Sequence, residues 1–227
     1  MLKTSTYPLH MSEKSKNFDI SHKLSPVHWP DVNDDSWEGY TEISIETSVS
    51  FHDEYPYASH KAALSNGVIL YPERAIQQSS IDPFSLFDSI NAEVFSFYAD
   101  CKLQSLFDYI IPSKVVAIAE IGVKPQFRGL DLGLSILKSW VANLSSPAEN
   151  TLFLIFPGSI NKPSGKCHSW FNLGKPSHKR RFSQPADVLA RYWLKAGFKN
   201  WPGTPHMFYA TGALKKLIIQ LHKTCKS

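Results

Sequence analysis

The sequence predicts an α/β protein, and three stretches carry that prediction. Residues 115–123 (VVAIAEIGV) form an apolar run dominated by β-branched and small residues, the signature of a strand buried on both faces. Lys124 and Pro125 stop it, because proline brings no N–H to a sheet ladder. After the short stretch Gln126-Phe127-Arg128-Gly129, apolar residues recur at helical spacing as Leu130, Leu134, Leu137 and Val141. A second buried run, Thr151–Phe156 (TLFLIF), follows a polar loop over 143–150. The order is strand, glycine-containing turn, helix, strand.

Bulk properties fit one domain. A chain of 227 residues with 43% hydrophobic and 19% charged residues can bury a sizeable core. The net charge of +4 suits an anionic ligand without demanding nucleic acid. Cys101, Cys167 and Cys225 are widely spaced and odd in number, which favours a reducing, cytoplasmic setting over a disulfide scaffold. No apolar run reaches membrane-spanning length and no secretory h-region opens the chain, so no membrane role is expected.

The chain divides into an N-terminal extension, 1–40, and a single domain, 41–227. The extension is polar, punctuated by Pro8, Pro26 and Pro30, and is expected to be irregular. Its His10, His22 and His28 have no ligand-like spacing and are expected to be solvated. From Tyr40 to Phe51 the pattern alternates, with Ile43, Ile45, Thr47, Val49 and Phe51 on one face of a half-exposed strand. An aromatic loop follows at Tyr55-Pro56-Tyr57, and Asn66-Gly67 within 62–71 predicts a tight turn between two strands. Pro83 and the spacing of Leu86, Ile90, Phe97, Leu103 and Phe107 predict helix over 82–108.

The strand–turn–helix unit also predicts a site. Unpaired N–H groups of a first helical turn, the positive end of its dipole and the charge of Arg128 converge at one point, where a phosphate fits. Residues 115–141 resemble motif A of the GNAT superfamily of N-acetyltransferases. Val123, Pro125 and Arg128-Gly129-Leu130-Asp131-Leu132-Gly133 follow its Val, Pro, Arg/Gln-x-x-Gly-x-Gly/Ala pattern. Asp131 departs from it, standing where the first paired glycine is usual. Aspartate tolerates the unusual dihedrals that glycine adopts there, but its charge opposes a phosphate.

Residues 157–185 are rich in Gly, Pro and Ser and carry Lys162, Lys166, Lys175, Lys179, Arg180 and Arg181 with no acid. They predict a long basic surface loop, with phosphate, anionic-acceptor and nucleic-acid contacts as competing uses beside a merely solvated one. Cys167, His168 and His178 lack zinc spacing, so no metal is assigned. The stretch 186–199 restores the family pattern: a helix carrying Leu189, Tyr192 and Trp193 ends in Lys195-Ala196-Gly197-Phe198 and resembles GNAT motif B. Here Trp193 stands where many members have a tyrosine that protonates the leaving thiolate, and indole cannot serve that role. Tyr192 is adjacent but about 100° away around the helix. Phe208-Tyr209-Ala210 is expected in the last strand, and 214–221 in a terminal helix.

The resemblance implies a GNAT-like acyl-CoA N-acyltransferase fold: a central mixed, mostly antiparallel sheet, flanking helices and a splayed parallel strand pair. It implies acetyl-CoA as cosubstrate, held by Ile121, Gly122, Val123, Arg128, Gly129, Leu130, Asp131, Leu132 and Gly133. It also implies transfer to an amine, a small molecule or a peptide, and a possible homodimer. Direct attack of an amine on a thioester needs positioning, a base and an oxyanion donor. Glu120 is the ionisable residue within the central strand and the first candidate base, although strand parity favours Ala119 unless a bulge intervenes. His206 is the second candidate, Tyr209 an alternative proton donor, and His60 and Asp100 weaker candidates. The competing readings are a GNAT-fold binding or regulatory module without turnover, and nucleic-acid binding through the 162–181 loop.

Overall fold

A computed structural model describes residues 4–8, 18–26, 42–52, 59–79, 110–155, 186–201 and 206–224. Its strands are β1 (Thr4–Pro8), β2 (Phe18–Pro26), β3 (Glu42–His52), β4 (Ser59–Leu70), β5 (Lys114–Val123), β6 (Thr151–Ile155), β7 (Lys199–Asn200) and β8 (Met207–Ala210). They form one sheet in the order β1-β2-β3-β4-β5-β6-β8-β7. Among the described strands, only β5 and β6 pair in parallel, Lys114 opposite Thr151 through Ile118 opposite Ile155. The sheet is therefore mixed and mostly antiparallel. Helices α1 (Pro72–Ser79), α2 (Leu132–Leu144), α3 (Ala186–Leu194) and α4 (Gly212–Thr224) flank it.

The pleat sorts the core into two clusters. On the first face, Ile20, Ile45, Val49, Ile69, Val116, Ile118 and Phe153 pack with Leu132, Leu137 and Trp140 of α2 and Trp193 of α3. On the second, Val115, Ala117, Leu152, Leu154 and Phe208 pack with Ala75 of α1 and Leu214 and Ile218 of α4. β6 is buried on both faces, which explains its unbroken apolar run.

Three expectations are corrected. Residues 1–40 contain β1 and β2 rather than irregular structure alone. In β2 the alternation Phe18, Ile20, His22 follows the pleat, and the strand pairs with β3 along its whole length, Phe18 opposite Phe51 through Pro26 opposite Ile43. His22 is buried, not solvated. Asn66-Gly67 is not a turn: β4 runs continuously through it. Glycine is required there because a Cβ would overlap the Ala117 carbonyl oxygen and come within 2.9 Å of the Trp140 ring. The helix α1 was not anticipated, although Pro72 and Glu73 are ordinary first-turn residues. The expectations for Tyr55-Pro56-Tyr57, for 82–108 and for the basic loop 157–185 lie outside the described residues.

A polar network locks α2 to the first two long strands. The Trp140 indole N–H donates to Thr47 Oγ1 (2.6 Å), which also bonds His22 Nδ1 (2.8 Å). His22 Nε2 bonds Ser139 Oγ at 2.8 Å. Both ring nitrogens are thus used, and burial lowers the His22 pKa to about 4, leaving a neutral ring at neutral pH.

Candidate functional site

The turn between β5 and α2 is built from backbone. Pro125–Phe127 form one 3₁₀ turn, in which Phe127 N–H bonds Lys124 O and Arg128 N–H bonds Pro125 O. Phe127 anchors the turn by packing against Phe18 and Phe51, at centroid distances of 6.0 and 5.6 Å. Gly129 (φ 86°) and Asp131 (φ 53°) then take left-handed dihedrals that reverse the chain into the helix. Asp131 is the one non-glycine residue with positive φ among the described residues. Its tolerance of that region answers the absence of glycine.

The first helical bond runs from Ser135 N–H to Asp131 O at 3.0 Å, so the N–H groups of Leu132, Gly133 and Leu134 precede the helical ladder. Leu134 N–H is taken by the Tyr192 hydroxyl at 3.3 Å. Burial above all pushes the Tyr192 phenol up to about 12, and the negative charge of Asp131 adds to the rise. Arg128 is exposed and donates through Nε to Val123 O at 3.2 Å. Among the described residues, nothing lies within 4 Å of where a Gly129 Cβ would stand. Arg128 and Asp131 place opposite formal charges in the same turn.

Beside this turn β5 continues past its described pairing with β6: among the described residues that pairing reaches Ile118, opposite Ile155, whereas pairing with β4 continues to Val123. Among the described residues, the β6-side edge of 119–123, with Ile121, Gly122 and Val123, has no strand partner. Such an edge offers backbone donors and acceptors to an extended ligand.

A bulge settles the direction of Glu120. Gly67 pairs with Ile118 and Asn66 with Glu120, so Ala119 is the extra residue. Glu120 consequently lies on the second face with Ala117, buried at 6% exposure, while Ala119 is exposed. Ser65 Oγ donates to the Glu120 backbone carbonyl at 2.8 Å, and Asn66 Nδ2 reaches its Oε2 at 3.4 Å. His206 is also buried and lies one residue beyond Met207, which pairs with Ile155 at the described end of β6. Its carbonyl accepts Trp201 N–H, extending the β7–β8 register and placing it on the face of Trp201 and Phe208. Glu120 and His206 therefore share a face and a sheet end, on strands two positions apart, roughly 10 Å by normal strand spacing.

The other candidates fall elsewhere. Tyr209 is on the first face, between Phe153 and Phe198, each at 6.0 Å between centroids. It does not converge with Glu120. Trp193 is buried against α2, with its ring 3.4 Å from where a Gly133 Cβ would stand. His60 is exposed on β4, and Asp100 lies outside the described residues. A groove of about 610 Å³ lined by Asn150, Tyr209, Thr211 and Lys215 opens beside the start of β6 and of α4, away from the β5–α2 turn. No cluster of three potential metal ligands occurs among the described residues. No helix among them is long and apolar enough to cross a membrane.

Sequence reasoning noticed Tyr192 but gave it no role, because its contact is with a helix 58 residues away in sequence. The support of Glu120 by Ser65 and Asn66 likewise depends on strand register. Compared with family models, curated proteins and solved structures, the chain finds no match in any of the three. The motifs and the geometry carry the functional argument alone.

Proposed function

We propose that this protein is an N-acetyltransferase of GNAT type that transfers the acetyl group of acetyl-CoA to an amine. One observation carries the reading: a left-handed turn at the N-terminus of α2 directly follows a strand that, among the described residues, runs past its parallel neighbour. The turn supplies first-turn N–H groups and Arg128 for phosphates. The edge 121–123 supplies backbone groups for the pantetheine amides. Acetyl-CoA brings the activated thioester. The chain's own part is to hold it across the sheet end and to manage the acceptor's proton.

Glu120 fits the second task. It projects from the same strand edge to the face opposite α2, so donor and acceptor approach from different sides. Its carboxylate takes the proton of the attacking amine, a role worth about 10²–10⁴-fold in rate. His206, on the same face across the end of β6, is placed to relay it. The acceptor is a small-molecule or peptide amine.

Asp131 favours a second reading, a binding module without turnover, because its charge opposes the phosphates that the turn would hold. Calorimetric titration with acetyl-CoA decides between them when paired with an acetyl-transfer assay over an amine panel. Micromolar binding that weakens at least tenfold in Arg128→Ala, with turnover reduced 10²-fold or more in Glu120→Gln, is expected. Binding without turnover of any amine selects the module. Absence of binding by the folded protein overturns both.

A further inference from the structure

Asn66 has the chemistry of a turn residue, yet it lies inside β4, where the register gives it another use. It pairs with Glu120 across the β4–β5 ladder and with Glu46 across the β3–β4 ladder. Glu46 in turn pairs with Lys23 of β2. Directly paired residues share a face, so Lys23, Glu46, Asn66 and Glu120 form one polar row on the second face. Lys23 and Glu46 are exposed, Asn66 is half-buried and Glu120 is buried. At the buried end, Asn66 Nδ2 donates to Glu120 Oε2 at 3.4 Å. The bulge makes this meeting possible: in an unbroken ladder Asn66 would stand opposite Ala119. Gly67 fixes the place from which the amide reaches, because it packs directly beneath Trp140 and the Ala117 carbonyl.

We propose that Asn66 is a positioning residue for the base: it orients the Glu120 carboxylate and favours its ionised form. The inference rests on the acetyltransferase reading with Glu120 as its base. Burial disfavours a charged carboxylate, and a hydrogen bond to the charged form works against that cost. A side-chain amide donates without bringing a charge of its own. Among the described residues, the other titratable groups on this face are spread over several elements. His206 lies two strands away, and Glu46 and Lys23 continue the row. Asp19 and Lys61 flank Ser50 nearer the sheet end, and Lys199 is on β7. Glu73 and Arg74 of α1, with Lys215 and Lys216 of α4, begin at the opposite end, beyond Leu70 and Ala210. All of them stay in place when Asn66 is replaced, so a changed ionisation of Glu120 reports the lost donor.

The test is the pH dependence of kcat/KM for acetyl transfer over the amine panel. Wild type, Asn66→Ala and Asn66→Asp are compared, each checked for folding by circular dichroism. Asn66→Ala removes the donor, and the acid limb is expected to move to higher pH by about half a unit or more. Asn66→Asp keeps the side-chain shape but sets a like charge against Glu120, and moves the limb further. Acetyl-CoA affinity stays within about twofold, which a merely structural loss would not guarantee. An acid limb unmoved in both variants overturns the proposal and leaves the acetyltransferase reading intact. If wild type turns over no amine, that reading falls, and the catalytic use of Asn66 falls with it. The pairing is read separately by NMR titration of carboxyl-labelled glutamate, with Glu120 identified by the signal missing in Glu120→Gln. A Glu120 titration left in place by Asn66→Ala shows that Asn66 does not hold the carboxylate.

Discussion

Helix α2 ends in two different ways, and the difference bears on the proposed site. At its C-terminal end, Lys114 Nζ donates to Leu144 O at 2.9 Å and pairs with Glu149 at 3.1 Å. Ser145 Oγ donates to Val141 O, and Asn143 Nδ2 to Ser139 O. A cation sits where the helix dipole is negative, and side chains from the adjoining loop and strand satisfy the Val141 and Leu144 carbonyls. At the N-terminal end an acidic residue occupies the cap without capping, and a tyrosine borrowed from α3 takes one of the early N–H groups. One end is closed by its neighbours. The other keeps donor capacity, and that is where an anion can be held.

The sharpest way to break this contrast is to unseat the middle of the helix. In Gly67→Ala the new methyl overlaps the Ala117 carbonyl and crowds Trp140, so a loss of about 3 kcal/mol is expected. Urea unfolding should show it, with both ends of α2 failing together. If stability is unchanged, Trp140 is not what holds α2 to the sheet.

Acidification acts on the same seat more mildly. The His22 pKa is lowered from 6.5 to about 4 by burial, so the unfolded chain binds more protons between those values. Stability from this group is complete above about pH 6.5 and falls as the pH drops toward 4, by about 2 kcal/mol after allowance for solvent screening. His22→Gln should flatten that part of the stability–pH curve. An identical slope in the variant would falsify the assignment.

The smallest effect belongs to the closed end. Lys114→Met removes the cap on Leu144 and the pair with Glu149, at a cost of about 1 kcal/mol. Acetyl-CoA affinity should stay within twofold of wild type, because the change is at the far end of the helix. A tenfold loss of affinity there would show that the two ends are not independent.

Local chemistry made much of this legible. The run 115–123, the stop at Pro125, the helical spacing to Val141 and the Gly197 helix end all depend on neighbours within a few residues, and each appears where the spacing puts it, except that Leu130 precedes the helix and is exposed. Gly197, at φ 90°, is a C-terminal stop of ordinary kind. The failures were non-local. Asn66-Gly67 has turn chemistry, yet packing under Trp140 keeps it extended, and tertiary contact overrides local propensity. Phe18, Ile20 and His22 alternate within a polar, proline-punctuated stretch, and only pairing with β3 makes a strand of them.

The candidate site divides along the same line. Sequence by itself determined the left-handed turn, because a glycine and an αL-tolerant aspartate between a strand and a helix have few other conformations available. It also singled out Glu120 but not its direction. Tertiary structure decided that direction, through a bulge at Ala119 that exists only in register with β4. It decided too that Tyr209 faces away from Glu120 while His206 shares its face, and that the Tyr192 hydroxyl meets Leu134 N–H across two helices. Dihedral preferences are properties of a few bonds and are written in the local sequence. Which side chains meet depends on the pairing of segments tens of residues apart, and the chain must fold to fix it.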